Sequence, residues 1–160
     1  MTQIRGKTPE EYAGALQHVE EIPHRYRLET YGPQYQDENV WEQYVQDIAL
    51  EEHDSERMRR TWRLAGESWL TYMEGCERHH ALARPSDTNR WCENLLDDKA
   101  RRTAYDYYFL RVYEFYNHLK FSSQHPHLYN PLLLAAVRYD AARHIWMHRV
   151  DERQRRHNNE

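Results

Sequence analysis

The sequence predicts an all-α protein, and three observations lead to that prediction. The chain holds 5 Gly and 6 Pro among 160 residues, about 7% against a usual ~12%, whereas sandwiches and barrels need such residues at frequent turns. Apolar residues recur at every third or fourth position instead of alternating. Aromatic residues make up 13% of the chain, so we expect a substantial core and not a disordered chain.

The N-terminal part of the chain begins with the pattern of a helix start. Thr8 is typical of an N-cap, Pro9 suits the first helical turn, and Glu11 would complete a capping box. We expect this helix to end at Pro23. Its inner face would hold Tyr12, Leu16 and Val19.

Residues 24–37 are predicted to be an irregular connection, since Gly32 and Pro33 adjoin there. A second, amphipathic helix is expected from about Asn39, acidic on its outer side. Its apolar residues are Val40, Trp41, Tyr44, Val45, Ile48 and Ala49.

Residues 55–79 form the first strongly predicted helix, which is expected to end near Gly75. Its apolar residues fall within a stripe of about 80–100° at 100° per residue. The stripe consists of Met58, Trp62, Ala65, Trp69, Tyr72, Met73 and Cys76. Because Arg59, Arg60 and Arg63 lie on the opposite face, the first half of this helix is predicted to be a basic surface.

The next helix is predicted to start with Ser86 or Asp87 as its N-cap. Its inner residues would be Thr88, Trp91, Cys92, Leu95 and Leu96. A basic stretch over residues 99–103 then leads into a long helix. We expect Tyr105, Phe109, Val112, Tyr113, Tyr116 and Leu119 on its inner side, and Thr103, Tyr107, Arg111, Glu114 and His118 on its outer side.

Residues 122–129 include Pro126 and are predicted to be a loop. Asn130 is then expected to cap a long last helix that opens with Pro131 and runs to about residue 150. Its inner residues would be Leu133, Ala136, Val137, Ile145 and Trp146, and a frayed basic tail would follow with Arg149, Arg153, Arg155 and Arg156.

The charge of the chain is divided unevenly along its length. Residues 1–54 hold 4 Lys and Arg against 12 Asp and Glu, while residues 55–160 hold 18 against 14. Of the 22 basic residues 19 are Arg, whose planar fork suits phosphates and base edges. This indicates a polyanion partner for the basic part, although a GC-rich or salt-adapted genome also favours Arg over Lys. The acidic residues 1–54 could cover the basic face, contact a second protomer or remain solvated.

Nothing in the sequence predicts a cofactor, a metal site or a membrane segment. Cys76, His79, His80 and Cys92 lack the paired halves of zinc modules, and His144 and His148 lack a carboxylate motif between them. The longest apolar run, residues 132–137, is far shorter than the ~20 residues needed to cross a bilayer. The chain starts without the apolar stretch of a signal peptide. We therefore expect a soluble, cytoplasmic protein without disulfides.

Several motifs follow one another in a specific order over residues 55–131. An aromatic–leucine pair lies in Trp69-Leu70-Thr71-Tyr72-Met73, and a capped acidic turn lies at Ser86-Asp87. Thr103 then opens a helix that ends in Phe115-Tyr116-Asn117-His118-Leu119, and Asn130-Pro131 closes the loop after it. In order and spacing this resembles the N-terminal core-binding domain of tyrosine recombinases, the phage-integrase SAM-like domain. The resemblance covers about half of the chain.

The resemblance implies three regions and a four-helix, SAM-like core-binding bundle. Residues 1–54 would be an acidic helical extension, residues 55–131 the core-binding domain, and residues 132–160 a long C-terminal helix with a basic tail. In this family catalysis belongs to a separate domain with an Arg, a His-x-x-Arg pair and a nucleophilic Tyr. The one His-x-x-Arg spacing in this chain, His24 to Arg27, lies outside residues 55–131, which carry the resemblance. We therefore expect a non-catalytic chain that acts in DNA integration or recombination.

The resemblance also implies a partner and a binding face. In the family this domain is half of a C-shaped clamp on duplex DNA, so double-stranded DNA is the expected partner, with a possible homo-oligomer forming on it. The alternative is a non-enzymatic helical protein-interaction or dimerisation domain, with the acidic extension or the C-terminal helix as its docking surface. The arginines themselves could also be a solvated face paired with nearby Glu. The implied DNA-binding residues are Arg59, Arg60, Arg63, Lys99, Arg101, Arg102, Thr103, Tyr107 and Arg111.

Overall fold

The computed structural model describes residues 7–49, 51 and 55–158, and its regular structure is helical throughout. None of these described residues lies in a β-strand, so the all-α prediction is confirmed. None of the described helices is long and apolar enough to cross a membrane.

The helices follow one another with short connections. We number them α1 Pro9–Ala13, α2 Gly32–Tyr35, α3 Val40–Tyr44, α4 Glu56–Gly75, α5 Pro85–Asp98, α6 Arg101–Phe121, α7 Pro131–Arg138 and α8 Asp140–Asn158. Single 3-10 turns at Val19–Glu21, His24–Tyr26 and Leu28–Tyr31 lie between α1 and α2. A π-helical turn extends α3 over Val45–Ala49, and α6 contains a π-helical stretch at Ala104–Phe109.

Helix α4 has the boundaries and the inner face that its sequence predicts. The Ser55 hydroxyl caps it by accepting a hydrogen bond from the Met58 N–H at 3.2 Å, and the helix ends at Gly75. Its stripe faces inward, with Trp62, Ala65, Trp69 and Met73 buried.

Helix α6 is buried on more sides than its periodicity indicates. All six residues of its predicted stripe are buried, as expected. However, residues 112–117 are buried consecutively, because α4, α5, α7 and α8 surround the helix. Glu114 is only 8% exposed and the side chain of Arg111 only 15%, so the expectation that these two residues face outward is wrong.

Helix α1 is much shorter than predicted. It ends at Ala13 because Gly14 takes a positive φ of 61°, a left-handed conformation that ends helices. The Thr8 hydroxyl donates to Glu11 Oε1 at 3.1 Å and caps no backbone N–H, so the predicted capping box does not form. The expectation of a helix reaching Pro23 is therefore wrong.

Two further helix ends differ from the prediction. The cap of α5 is Arg84, two or three residues before the predicted position, and Asp87 instead accepts the Arg84 backbone N–H at 2.9 Å. The predicted last helix is two helices, because Tyr139 is extended between α7 and α8. Asn130 caps α7 as predicted, accepting from the Leu132 N–H at 3.0 Å. The basic tail remains helical to Asn158.

The acidic extension packs on the C-terminal helices. Trp146 Nε1 donates to the Lys7 carbonyl at 2.8 Å and its ring meets Tyr12 edge-on at 5.6 Å. Glu10 pairs with Arg143 and Glu20 with Arg138. A single hydrophobic core runs from Ile22 to Val150 through the described residues, and the division into three regions stays a prediction.

A buried histidine holds α3 on the loop after α4. His80 Nε2 accepts hydrogen bonds from the Val40 and Trp41 backbone N–H groups, at 3.1 and 3.2 Å. His80 therefore caps α3 from a distant loop, a role that requires its unprotonated nitrogen. Burial accordingly lowers the pKa of His80 to about 3. His127 donates to the Ala81 carbonyl at 2.7 Å in the same region, and burial lowers its pKa to about 4.

Gly66 on α4 permits the close approach of α3. A Cβ atom at this position would overlap the Trp41 indole, approaching its Cε2 atom to 2.8 Å. Gly66→Ala is expected to lower the free energy of unfolding by about 1–3 kcal/mol through overpacking, although Ala is the better helix former. Urea unfolding measures the change.

Gly75→Ala is the matched control, because nothing lies within 4 Å of a Cβ at Gly75. It should leave stability unchanged or raise it slightly. Equal effects of the two substitutions would show that the Trp41 indole does not need the space at Gly66.

The buried histidines predict an acid-sensitive fold. Since their folded pKa values lie below the ordinary 6.5, the unfolded chain takes up protons that the folded chain excludes. Their contribution to stability is complete above pH 6.5 and is lost as pH falls toward about 4, by at most about 1.4 kcal/mol per pH unit for each histidine. Urea unfolding between pH 7.5 and 4.5 checks this slope. A double variant, His80→Asn with His127→Asn, should show a shallower slope, and an unchanged slope would contradict the assignment.

Candidate nucleic-acid interface

Three predicted binding residues, Arg59, Arg60 and Arg63, line one open groove. They lie on the first half of α4, and the opposite wall is the outer side of α3 and its π-helical turn. The groove has a volume of about 640 Å³. We call it the arginine groove; its lining residues are Trp41, Glu42, Val45, Gln46, Glu56, Arg57, Arg59, Arg60, Trp62 and Arg63.

The described residues of the arginine groove carry an excess of positive charge. Four arginines among them face two carboxylates, those of Glu42 and Glu56. The side chains of Arg57, Arg60 and Arg63 are exposed, and they form no ion pair or hydrogen bond with any residue that the structure describes. Their hydrogen-bond donors are therefore available to a ligand.

Trp62 forms a buried part of the same groove. It is 2% exposed, and its Nε1–H is itself buried and has no acceptor within the described part of the chain. The donors that the α4 wall offers to a ligand are therefore the exposed guanidinium groups. This chemistry suits an anionic ligand.

The second predicted group does not line the arginine groove. Its cations are paired within the chain, as Lys99 with Asp98 at 3.1 Å, Arg101 with Asp151 at 2.8 Å and Arg102 with Asp106 at 3.6 Å. Thr103 is half-buried in the first turn of α6, and Tyr107 is 38% exposed. Exposed ion pairs are weak, typically 0–1 kcal/mol, so Arg102, whose side chain is 77% exposed, remains accessible to a phosphate.

The side chain of Arg111 bonds to neighbouring residues within the fold. Its Nε donates to the Asp106 carbonyl at 3.3 Å, and its guanidinium lies 3.6 Å from the buried Glu114 carboxylate. Because the side chain is mostly buried and faces a buried carboxylate, it does not present a free charge to a groove of DNA.

Two features of the arginine groove were not predicted from the sequence. Arg57 lies about one and a half turns before Arg63 on the same helix. Its polar neighbours in the sequence were a signal that it would be exposed. The opposite wall, with Glu42 and Gln46, depends on how α3 docks on α4. That docking leaves no local signal in the sequence.

The described residues contain no group of three or more His, Cys, Asp or Glu side chains arranged to hold a metal ion. Both nitrogens of His79 bond to the backbone, at the Ala81 N–H and the Glu38 carbonyl. Cys92 is fully buried, which raises the pKa of its thiol. These side chains are thus engaged in local packing.

No protein-family model matches the chain, and no curated protein or solved structure shows significant similarity to it.

We expect Arg111 to stabilise the fold and not to bind a ligand. Arg111→Gln should lower the free energy of unfolding by about 1–3 kcal/mol, because it removes the cation that faces the buried Glu114. Arg102→Gln, at an exposed position on the same helix, should change stability by less than about 0.5 kcal/mol. Urea unfolding of both variants compares them, and an equally small effect at Arg111 would place it among the solvated cations.

Proposed function

We propose that this chain is a non-enzymatic module that binds double-stranded DNA, with the phosphate backbone held in the arginine groove. The observation that supports this most directly is the set of three exposed guanidinium groups, at Arg57, Arg60 and Arg63, which have no partner within the described residues. Arginine donates to phosphate oxygens through a planar fork, and such contacts position a protein on DNA.

The spacing of the arginines along α4 suits the backbone of a duplex. From Arg57 to Arg63 the helix axis rises about 9 Å, and a duplex carries about five phosphate charges over that length. Three arginines on two turns of helix can therefore each meet a separate phosphate. The carboxylates of Glu42 and Glu56 in the same groove oppose the attraction and moderate the affinity.

A role in recombination is the finer form of this proposal. It is supported by the order of motifs in residues 55–131, and it makes the chain the non-catalytic, DNA-holding part of a tyrosine recombinase system that can assemble as a homo-oligomer on DNA. In this form the groove supplies affinity while catalysis belongs to a separate domain.

DNA binding should depend strongly on salt. If the three arginines each neutralise one phosphate, the plot of log K against log salt concentration should have a slope of about −3. The double variant Arg60→Gln with Arg63→Gln should reduce the slope to about −1 and weaken binding at low salt at least tenfold. Fluorescence anisotropy with a labelled blunt duplex measures both quantities.

The matched control is Arg25→Gln with Arg90→Gln, which removes the same charge from exposed residues outside the groove. Its slope should stay near that of the native protein. If the two double variants lost affinity and slope equally, DNA binding would depend on net charge alone. No salt-dependent binding by the native protein, together with a stable dimer in light scattering, would instead support the protein-interaction alternative.

A further inference from the structure

A second cavity lies on the other side of α3 from the arginine groove. It has a volume of about 450 Å³ and opens between α3, the end of α6 and the loop that follows α6. This size is within the range of small-ligand sites. Tyr44 and Asp47 line it from α3 and its π-helical turn, and His118 and Phe121 line it from α6.

Phe121 presents an unburied aromatic ring at this cavity. The side chain is 76% exposed, although most large apolar side chains of the described chain are buried. Inside the cavity the rings of Tyr44 and His118 lie 5.3 Å apart. An exposed ring beside an aromatic wall can hold a flat ligand by stacking, and such contacts with bases tolerate any base sequence.

The polar groups of the cavity favour a base over a phosphate. The side chains of Asp47, Ser123 and Gln124 line it and bond to no other residue that the structure describes. An ionised Asp accepts hydrogen bonds only, so it repels a phosphate and attracts the amino and ring N–H groups of a base. Asp is suited to the amino group of cytosine, and the same acceptor geometry suits guanine.

We propose that this cavity holds one unpaired guanine or cytosine base of the DNA whose phosphates lie in the arginine groove, with Phe121 stacking on the base and Asp47 accepting its N–H groups. The inference rests on the proposed DNA-binding function and extends it from duplex to junctions between double and single strands. Helix α3 forms a wall of both sites, so they are separated by about one helix diameter, ~10 Å.

The test compares three labelled duplexes of identical sequence in fluorescence anisotropy with the full chain. One is blunt, one has an overhang of three dG nucleotides, and one has an overhang of three abasic nucleotides, which keeps the phosphates and lacks the bases. The dG overhang should bind at least about fivefold more tightly than the abasic overhang, the lower end of what one stacked base contributes. The abasic overhang should resemble the blunt duplex apart from its added phosphates.

Phe121→Ala should abolish the preference for dG over abasic overhangs while leaving the affinity for the blunt duplex unchanged. Leu128→Ala is the matched control, since Leu128 is 54% exposed on the loop that follows α6 but does not line the cavity; it should keep the preference. Asp47→Asn should reduce the preference for dG over abasic overhangs, because it replaces one of the two acceptor oxygens with a donor.

The outcomes separate the two proposals. If the native protein binds all three duplexes alike, the base site is wrong and duplex binding stands. If Phe121→Ala retains the full preference, the base site is likewise wrong. If the native protein binds none of the three, the DNA-binding function fails and the base site with it.

Discussion

The docking of Trp41 on Gly66 is the contact on which the other features of the surface depend. The indole lies where the Cβ of any other residue at position 66 would be, and it also packs against Phe115 at 5.1 Å between ring centres. This contact fixes α3 against α4 and α6. Because α3 is a wall of both the arginine groove and the second cavity, the two candidate sites exist only while this helix is seated.

The packing of the acidic extension determines where its carboxylates lie. Glu10 and Glu20 of the acidic extension pair with arginines of α8 and α7, so they are directed away from α4. Among the described residues of this extension, only Glu42 lines the arginine groove. Glu10 and Glu20 therefore lower the net charge of the chain without neutralising the arginines of α4, and net charge alone is a poor guide to the local potential.

The elements that could be predicted are those whose signals are local. The stripe and the ends of α4, the inner face of α6 and the Asn130 cap all depend on residues within a few positions of one another. The errors have non-local or conformational causes: Gly14 adopts a positive φ and ends α1, and Arg111 and Glu114 are covered because helices surround α6. The same distinction between local and non-local signals holds for the candidate site. Arg59, Arg60 and Arg63 share a helix face, whereas Arg101 meets Asp151 across 50 residues, which no periodicity shows.

The motifs that resemble a recombinase domain are residues of the core and of helix caps. Trp69, Phe115, Tyr116 and Leu119 are buried, and Asn130 caps α7. Such positions determine how helices pack, and many helical bundles need aromatic and leucine residues at similar spacing. Contacts with DNA would come from exposed residues, which the shared pattern does not constrain. The resemblance thus bears on the packing of α4, α5 and α6, while the proposal of DNA binding rests on Arg57, Arg60 and Arg63, whose side chains pair with no residue that the structure describes.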